Sequence, residues 1–170
     1  MEQKPQPILC YIGSYINPEI DPFLEANGFC HGLILFSVPE LGLLFRCRAD
    51  GELIDLEFGS FFSLLRFLKQ YLADDTIKRL RVLSSNPEFV FSFKPESKHL
   101  AKGSTREKML KEYAKEYTLE IGYIEPRKNR CYLSPGEYPS MPENSAPILK
   151  PTVKNDTKID CKPFQRGIRL

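Results

Sequence analysis

The hydrophobic positions of segment 1–133 fall into short runs separated by proline, glycine and charged residues. The runs at 8–15, 28–38 and 43–48 are apolar enough for strands, and a polar stretch with two prolines at 17–27 favours a loop between the first two. The segment 52–58 (ELIDLEF) alternates between two sets of side chains, which predicts a further strand. Because the turns between the later runs are short, we expect a meander of three or four antiparallel strands.

Two later stretches show the periodicity of helices. From Gly59-Ser60 the apolar residues recur along one wide helix face as far as Leu72. A second helix is predicted from 104 through Tyr117, where Ser104 and Glu107 form a capping box and should satisfy each other's backbone amides. The segment between them at 86–93 starts as a short helix or a turn, and its apolar part fits either a helix or a strand.

Each predicted helix is followed by a short strand, at 79–83 and at 119–124. The first of these strands is reached through a helix, so the crossover should be parallel. The predicted fold is therefore α/β with a mixed sheet (α+β), an antiparallel meander followed by αβαβ, over a domain at 1–133. The segment 134–170 has six prolines and no long apolar run, which predicts a tail that is disordered or docks as an extended strap.

Charge and cysteine content narrow the classes of function. Of the 24 basic and 22 acidic side chains, six and four lie in 134–170, so segment 1–133 carries 18 of each sign. A neutral domain lacks the field of a strong nonspecific nucleic-acid binder. The five cysteines have no C-x-x-C spacing, so we expect reduced, buried thiols and no zinc or redox site. Segment 1–7 does not resemble a signal peptide and no run is long enough to span a membrane, which predicts a cytoplasmic protein.

Four local strings, in order over 8–133, resemble the ribonuclease H-like superfamily. YIGSY at 11–15 is similar to its first-strand Asp-Gly-Ser string, and SFFSLLRFL at 60–68 to its first-helix Ala-Glu-x-x-Ala-Leu pattern. VLSSN at 82–86 is similar to its fourth-strand Ser-Asp-Ser string, and LEIGYIEPRKN at 119–129 to its fifth strand and Arg-x-x-Asn exit. The resemblance implies a ribonuclease H-like fold.

In an active member the resemblance implies two Mg²⁺ ions held by acidic side chains, which clamp the phosphodiester during hydrolysis. The positions that match the family's acids here hold Ile12, Phe61, Ser85 and Tyr132, and none can supply an anionic oxygen at neutral pH. We therefore expect a divergent, catalytically inactive member with no cofactor and no catalytic residues. It would act as a binding or scaffold module for a protein or nucleic-acid partner, and the neutral domain favours a protein.

The alternative is a metal-dependent nuclease acting on RNA or an RNA–DNA hybrid, with Mg²⁺ held by relocated acids. Asp55 and Glu57 would share one face of the predicted strand at 52–58, and Asp21, Glu25 and Glu88 are also available. The favoured interpretation is that these acids belong to an outward polar strand face and to solvated loops.

A third hypothesis is nucleic-acid binding through the one concentrated basic region of the domain. Its candidate residues are Lys94, Lys98, His99, Lys102, Arg106 and Lys108. Acidic residues at 107, 112 and 116 are interleaved at ion-pairing spacing, so a solvated helix face is the favoured interpretation. His31 is expected in the core and His99 on the surface, and neither has a partner for nucleophilic catalysis.

Overall fold

The computed structural model describes residues 6–16, 32–71 and 78–131. Within these ranges the chain forms five strands and three α-helices. They are β1 (Ile8–Ile16), β2 (Gly32–Val38), β3 (Leu43–Ala49), α1 (Leu53–Tyr71), β4 (Arg79–Ser84), α2 (Pro87–Phe91), α3 (Thr105–Ala114) and β5 (Thr118–Tyr123). Short 3₁₀ turns occupy Pro39–Leu41, Lys98–Leu100 and Pro126–Lys128.

The strands form one mixed sheet in the order β3-β2-β1-β4-β5. β1, β2 and β3 pair antiparallel, whereas β4 lies parallel to β1 and β5 parallel to β4. This arrangement confirms the predicted mixed α/β class and the antiparallel meander, which has three strands in the described part of the chain. The tail at 134–170 and His31 lie outside the described residues.

The predicted strand at 52–58 is wrong, because α1 begins at Leu53 and continues to Tyr71. Alternation over so short a segment also fits a helix, in which Ile54 and Phe58 lie one turn apart on the face that is buried against the sheet. Gly59 and Ser60, which the sequence predicts as the start of the helix, lie inside it and are buried. The continuous apolar face of α1 therefore decides the structure of its first turns.

All three helices pack on one face of the sheet. Four phenylalanine rings pack together between α1 and the α2 region, namely Phe58, Phe61, Phe89 and Phe93. The ring centroids of Phe58 and Phe89 are 5.0 Å apart. Tyr113 of α3 stacks on Phe62, and Tyr117 is buried, as the sequence predicts. Aromatic burial of this kind contributes much of the packing energy of a small core.

The opposite face of the sheet carries a second, smaller cluster of buried residues, namely Tyr11, Leu33, Leu35 and Cys131. Gly13 lies in β1 beside it, and a Cβ there would come within 2.9 Å of the Cβ of Cys131. A side chain at this position would therefore push the segment that carries Cys131 away from the sheet. This close approach is what a glycine in β1 allows.

The helix caps agree in part with the sequence. Asn86 caps α2 by accepting a hydrogen bond from the backbone of Phe89 at 3.2 Å, and the apolar residues that follow are helical. Ser104 caps α3 by accepting from the backbone of Glu107 at 3.2 Å. The Glu107 carboxylate accepts from the backbone of Gly103 at 3.0 Å rather than from Ser104, so the reciprocal half of the capping box is displaced by one residue.

Two cysteines of the described part are free and buried, namely Cys10 and Cys131. Burial raises the pKa of the Cys10 thiol to about 12, which makes it unreactive at neutral pH. Cys47 is disulfide-bonded, so the prediction of reduced thiols is wrong there. None of the helices in the described part of the chain is long and apolar enough to cross a membrane.

The hydroxyl of Ser60 lies between β1 and β2. Its Oγ donates to the carbonyl of Gly13 at 2.6 Å and accepts from the backbone N–H of Leu35 at 3.2 Å. Gly13 and Leu35 are paired residues of the two strands, so the serine hydroxyl bridges the pair. One side chain thus joins α1 to both strands at the point where β1 approaches its carboxyl end.

We predict that Ser60→Ala lowers the free energy of unfolding by about 1–3 kcal/mol, because it removes two buried hydrogen bonds between α1 and the strands. Urea denaturation measures the loss. The matched control is Ser63→Ala on the same helix, because the Ser63 hydroxyl is buried and has no hydrogen-bond partner among the described residues. Equal stability losses in the two variants would contradict the role given to Ser60.

Candidate functional site

Among the described residues, one buried acid lies at the carboxyl ends of β1 and β4, namely Glu57. Its side chain is 2% exposed. The Ser14 hydroxyl donates to Oε2, and the Ser84 hydroxyl donates to Oε1 at 2.5 Å. The carboxyl group is thus held between one serine from each of two neighbouring parallel strands.

The fold explains why these three residues meet. β1 and β4 are parallel neighbours in which Ile12 stands opposite Ser84. Ser14 follows Ile12 by two residues and lies on the same, helix-covered face of β1. Glu57 lies about one turn into α1 and one turn before Phe61, so it points at the same face of the sheet. Burial of the α1 apolar face therefore places Glu57 over the strand ends.

A pocket of about 260 Å³ opens beside Glu57. Its polar lining includes Ser14, Ser85, Asn86 and Asn129. Apolar groups from Leu53, Pro87 and Pro126 form its walls. Sites for drug-sized ligands begin at about 300 Å³. This pocket is smaller, so it suits one functional group or a very small molecule.

Asn129 fixes the segment that closes this site. Its Nδ2 donates to the carbonyl of Ile12 at 2.9 Å and to the Ser85 hydroxyl at 3.0 Å. Its Oδ1 accepts from the backbone of Cys131 at 2.9 Å. The buried amide therefore ties the turn after β5 to the ends of β1 and β4, which gives the pocket a rigid wall.

Burial raises the pKa of Glu57 above its ordinary value, and the two serine hydrogen bonds oppose this shift. Desolvation is the larger cause, since water that would stabilise the charged form is excluded. A raised pKa means that the ionised form of Glu57 destabilises the folded protein. Its contribution to stability is complete below about pH 4.5, the ordinary value, and falls as the pH rises through the folded-state pKa.

Three of the four positions that the resemblance matches to metal-binding acids are described, and their side chains do not all face the pocket. Ile12 and Phe61 are fully buried in the core beneath the helices. Ser85 lines the pocket, and Tyr132 lies outside the described residues. The side chain from α1 that reaches the strand ends is Glu57, one turn before Phe61.

The relocated acids do not converge either. Asp55 and Glu57, predicted on one strand face, point in different directions because they are two residues apart on a helix. Asp55 forms an ion pair with Arg106 of α3, whereas Glu57 is buried, so the prediction of a solvated polar face is wrong for Glu57. Glu88 pairs with His99 at 2.8 Å, and Asp21 and Glu25 lie outside the described residues. No group of three or more His, Cys, Asp or Glu suited to a metal occurs in the described part.

The residues of the predicted basic face lie in different surroundings, some buried and some exposed. Arg106 is buried: it pairs with Asp55 and its guanidinium lies 4.2 Å from the centre of the Phe58 ring, so it serves the fold. His99, expected to be simply exposed, is partly buried against Glu88. Lys94, Lys98, Lys102 and Lys108 are exposed, and Lys94 lies 4.3 Å above the exposed ring of Phe91.

The site residues that the sequence did not reveal are Ser14, Ser84 and Asn129, whereas Glu57 is a sequence candidate that the alternating pattern assigns to a strand instead of a helix. A signal for Glu57 was present, because it shares a helical face with Phe61 once α1 is allowed to begin before Gly59. The two serines carried no signal of their own. Neither the known protein families nor the curated proteins include a match to this chain.

We predict that Glu57→Gln weakens the pH dependence of stability. The amide has a similar shape and cannot ionise, so wild type should lose stability relative to the variant as the pH rises, with a limiting slope of about 1.4 kcal/mol per pH unit between the unfolded and folded pKa values. Urea denaturation of both proteins over a pH series measures the difference, and the other acids cancel in the comparison. Parallel stability curves would contradict a raised pKa at Glu57.

Proposed function

We propose that this protein is a catalytically inactive ribonuclease H-like domain, a pseudoenzyme that acts as a binding or scaffold module. The observation that carries the proposal is the donor set at the carboxyl ends of β1 and β4. One carboxyl group, from Glu57, meets two serine hydroxyls there. A two-metal phosphodiesterase needs several anionic oxygens at such a point.

Three features of the fold support the proposed relationship. The sheet order β3-β2-β1-β4-β5, with three antiparallel strands and two parallel ones, agrees with the strand arrangement that the resemblance implies. α1 crosses from β3 to β4 and brings an acid to the strand ends. Glu57, rather than Phe61, is the residue of α1 that reaches the strand ends, where Ser14 and Ser84 contact it.

The chemistry of Glu57 opposes divalent-cation binding. Serine hydroxyls are neutral and weak ligands for Mg²⁺, which prefers carboxylates, phosphates and water. Both carboxyl oxygens of Glu57 already accept hydrogen bonds, and burial favours the uncharged acid. A metal would have to displace these bonds and ionise the only acid of the site among the described residues.

A protein partner suits the surface around the pocket. Three exposed apolar side chains lie at this end of the sheet: Ile16 at the end of β1, Leu53 at the start of α1 and Tyr123 at the end of β5. Exposed apolar and aromatic residues around a recess are typical of protein-binding surfaces. The neutral charge balance of segment 1–133 agrees with this choice.

We predict that Ser14→Asp combined with Ser84→Asp creates a Mn²⁺ site. Both hydroxyls contact the Glu57 carboxyl group, so two new carboxylates would crowd it and destabilise the metal-free protein. Mn²⁺ should then raise the melting temperature of the double variant, with about 2.7 kcal/mol of stabilisation at a hundred times the dissociation constant. Wild type should show no such response.

The matched control is Ser14→Asn combined with Ser84→Asn, which has the same size and no added charge. If Mn²⁺ does not change the melting temperature of the double Asp variant, these serines do not occupy metal-ligand positions. Mn²⁺ or Mg²⁺ stabilisation of wild type that is lost in Glu57→Gln would overturn the inactive domain and favour the metal-dependent nuclease.

Nucleic-acid binding is the second candidate, and exposed lysines of the 94–108 segment favour it. Lys94, Lys98, Lys102 and Lys108 have no ion-pair partner in the described part of the chain, whereas Lys111 and Lys115 pair with Glu107 and Glu112. Lys94 also lies beside the exposed Phe91 ring, which offers a surface for base stacking.

For this second candidate we predict salt-dependent affinity for an RNA–DNA hybrid, measured by fluorescence anisotropy. Lys98→Ala combined with Lys102→Ala should lower the slope of log affinity against log salt by about one for each lost phosphate contact. The control is Lys111→Ala combined with Lys115→Ala, which removes the same charge from lysines that already have partners. Equal effects of the two pairs, or no measurable binding, would reject this surface.

A further inference from the structure

The pocket beside Glu57 contains two hydrogen-bond donors that the fold does not use. The Ser85 hydroxyl accepts from Asn129 at 3.0 Å, and its own proton has no acceptor among the described residues. The Asn86 side chain caps α2 through its oxygen, and its NH₂ group likewise has no acceptor there. Both residues line the pocket and are partly buried, so these donors face a restricted space.

The hydrogen bonds at Glu57 fit an uncharged carboxylic acid. Ser84 Oγ accepts from the backbone of Asn86 at 3.0 Å, so its proton is available for Glu57. Ser14 Oγ contacts both Glu57 Oε2 and the carbonyl of Leu53, at 3.4 Å for the latter, but its single proton satisfies only one of them. When Oε2 carries the proton, the direction of this bond reverses: Oε2 donates to Ser14, the Ser14 hydroxyl donates to Leu53 instead of to Oε2, and every group has a partner.

The rest of the pocket lining, as far as the structure describes it, carries no charge. Besides Glu57, the titratable residue of this lining is Tyr15, whose hydroxyl donates to the carbonyl of Cys131 at 2.8 Å. Lys128, in the turn beside the pocket, is exposed and pairs with Glu125 at 3.0 Å. None of the described residues that line the pocket is cationic, so an ionised ligand group would lose water without gaining an opposite charge.

We propose that this pocket binds an uncharged amide of a partner protein, as in the side chain of glutamine or asparagine. The proposal rests on the inactive binding module argued above and names what its site takes. The amide oxygen would accept from the Ser85 hydroxyl and the Asn86 NH₂ group, and the apolar walls from Leu53, Pro87 and Pro126 would enclose the carbon chain. The volume of about 260 Å³ suits one side chain, while Ile16, Leu53 and Tyr123 contact the surrounding partner surface.

The test is an NMR titration of the isotope-labelled full chain at pH 7 with N-acetylglutamine amide. We expect saturable shifts of the backbone signals of Ser85, Asn86 and Asn129. The matched probe N-acetylglutamate amide, which has the same size and a negative charge, should bind about tenfold more weakly, because its carboxylate would be desolvated. Equal or tighter binding of the charged probe would overturn the proposal.

Ser85→Ala should weaken binding of N-acetylglutamine amide by about fivefold, since one hydrogen bond is lost. The control is Ser97→Ala, which removes a serine from the 94–103 loop and should leave the affinity unchanged. Uridine is the third probe: preferential binding of this base would overturn the amide and indicate a nucleic-acid partner.

Failure of this proposal can be told apart from failure of the proposed function. In one outcome none of the probes binds, Mn²⁺ does not stabilise wild type, and Mn²⁺ does stabilise the double Asp variant. The amide pocket is then rejected and the proposal of an inactive domain stands. If wild type itself binds Mn²⁺ through Glu57, the inactive domain fails, and with it the uncharged pocket.

Discussion

The position of α1 on the sheet depends on the Ser60 hydroxyl, which lies between two strands. Because it bonds to Gly13 of β1 and to Leu35 of β2, the helix can neither slide nor rotate without breaking both bonds. Glu57 lies three residues earlier on the same helix and is thereby aimed at the ends of β1 and β4. The phenylalanines that follow on the next turns anchor the other side of α1 in the core. The Ser60 contact thus fixes the position of the site, and the apolar face of α1 fixes its packing in the core.

A buried acid is normally paired with a cation, bound to a metal or hydrogen-bonded to several donors. Glu57 has two hydroxyls and, within the described residues, no cation among its hydrogen-bond partners. A neutral acid suits such surroundings, because it both donates and accepts hydrogen bonds and carries no charge that needs solvation. The same surroundings are unsuited to a metal clamp, which needs anionic oxygens that stay ionised. The uncharged hydroxyl donors at the strand ends and the burial of Glu57 are therefore consistent with each other.

Much of the fold can be predicted from the sequence, because the strands and the later helices carry clear local signals. Prolines, glycines and the caps at Asn86 and Ser104 place several element boundaries close to where the structure has them. The prediction fails for the first turns of α1. So short a segment fits a strand and a helix equally well, and only its packing against the sheet decides between them. Because of that one error, the sequence predicts a solvated Glu57, whereas the structure has it buried in the site. Ser14 and Ser84 stand 43 and 27 residues from Glu57 in the chain, so their contact requires the strand pairing to be known.

The location of the pocket follows from the topology of the sheet. From β1 the chain continues to β2 on one side, whereas β4 reaches its other side only after the helix crossover. In open α/β sheets such a point leaves a crevice at the carboxyl ends of the parallel strands, where ligands bind. Here the crevice is closed by the turn that Asn129 ties to β1 and β4, so it keeps its shape without a metal. Its described lining offers serine hydroxyls, side-chain amides and one buried acid to a ligand, and no cation that would favour an anionic one.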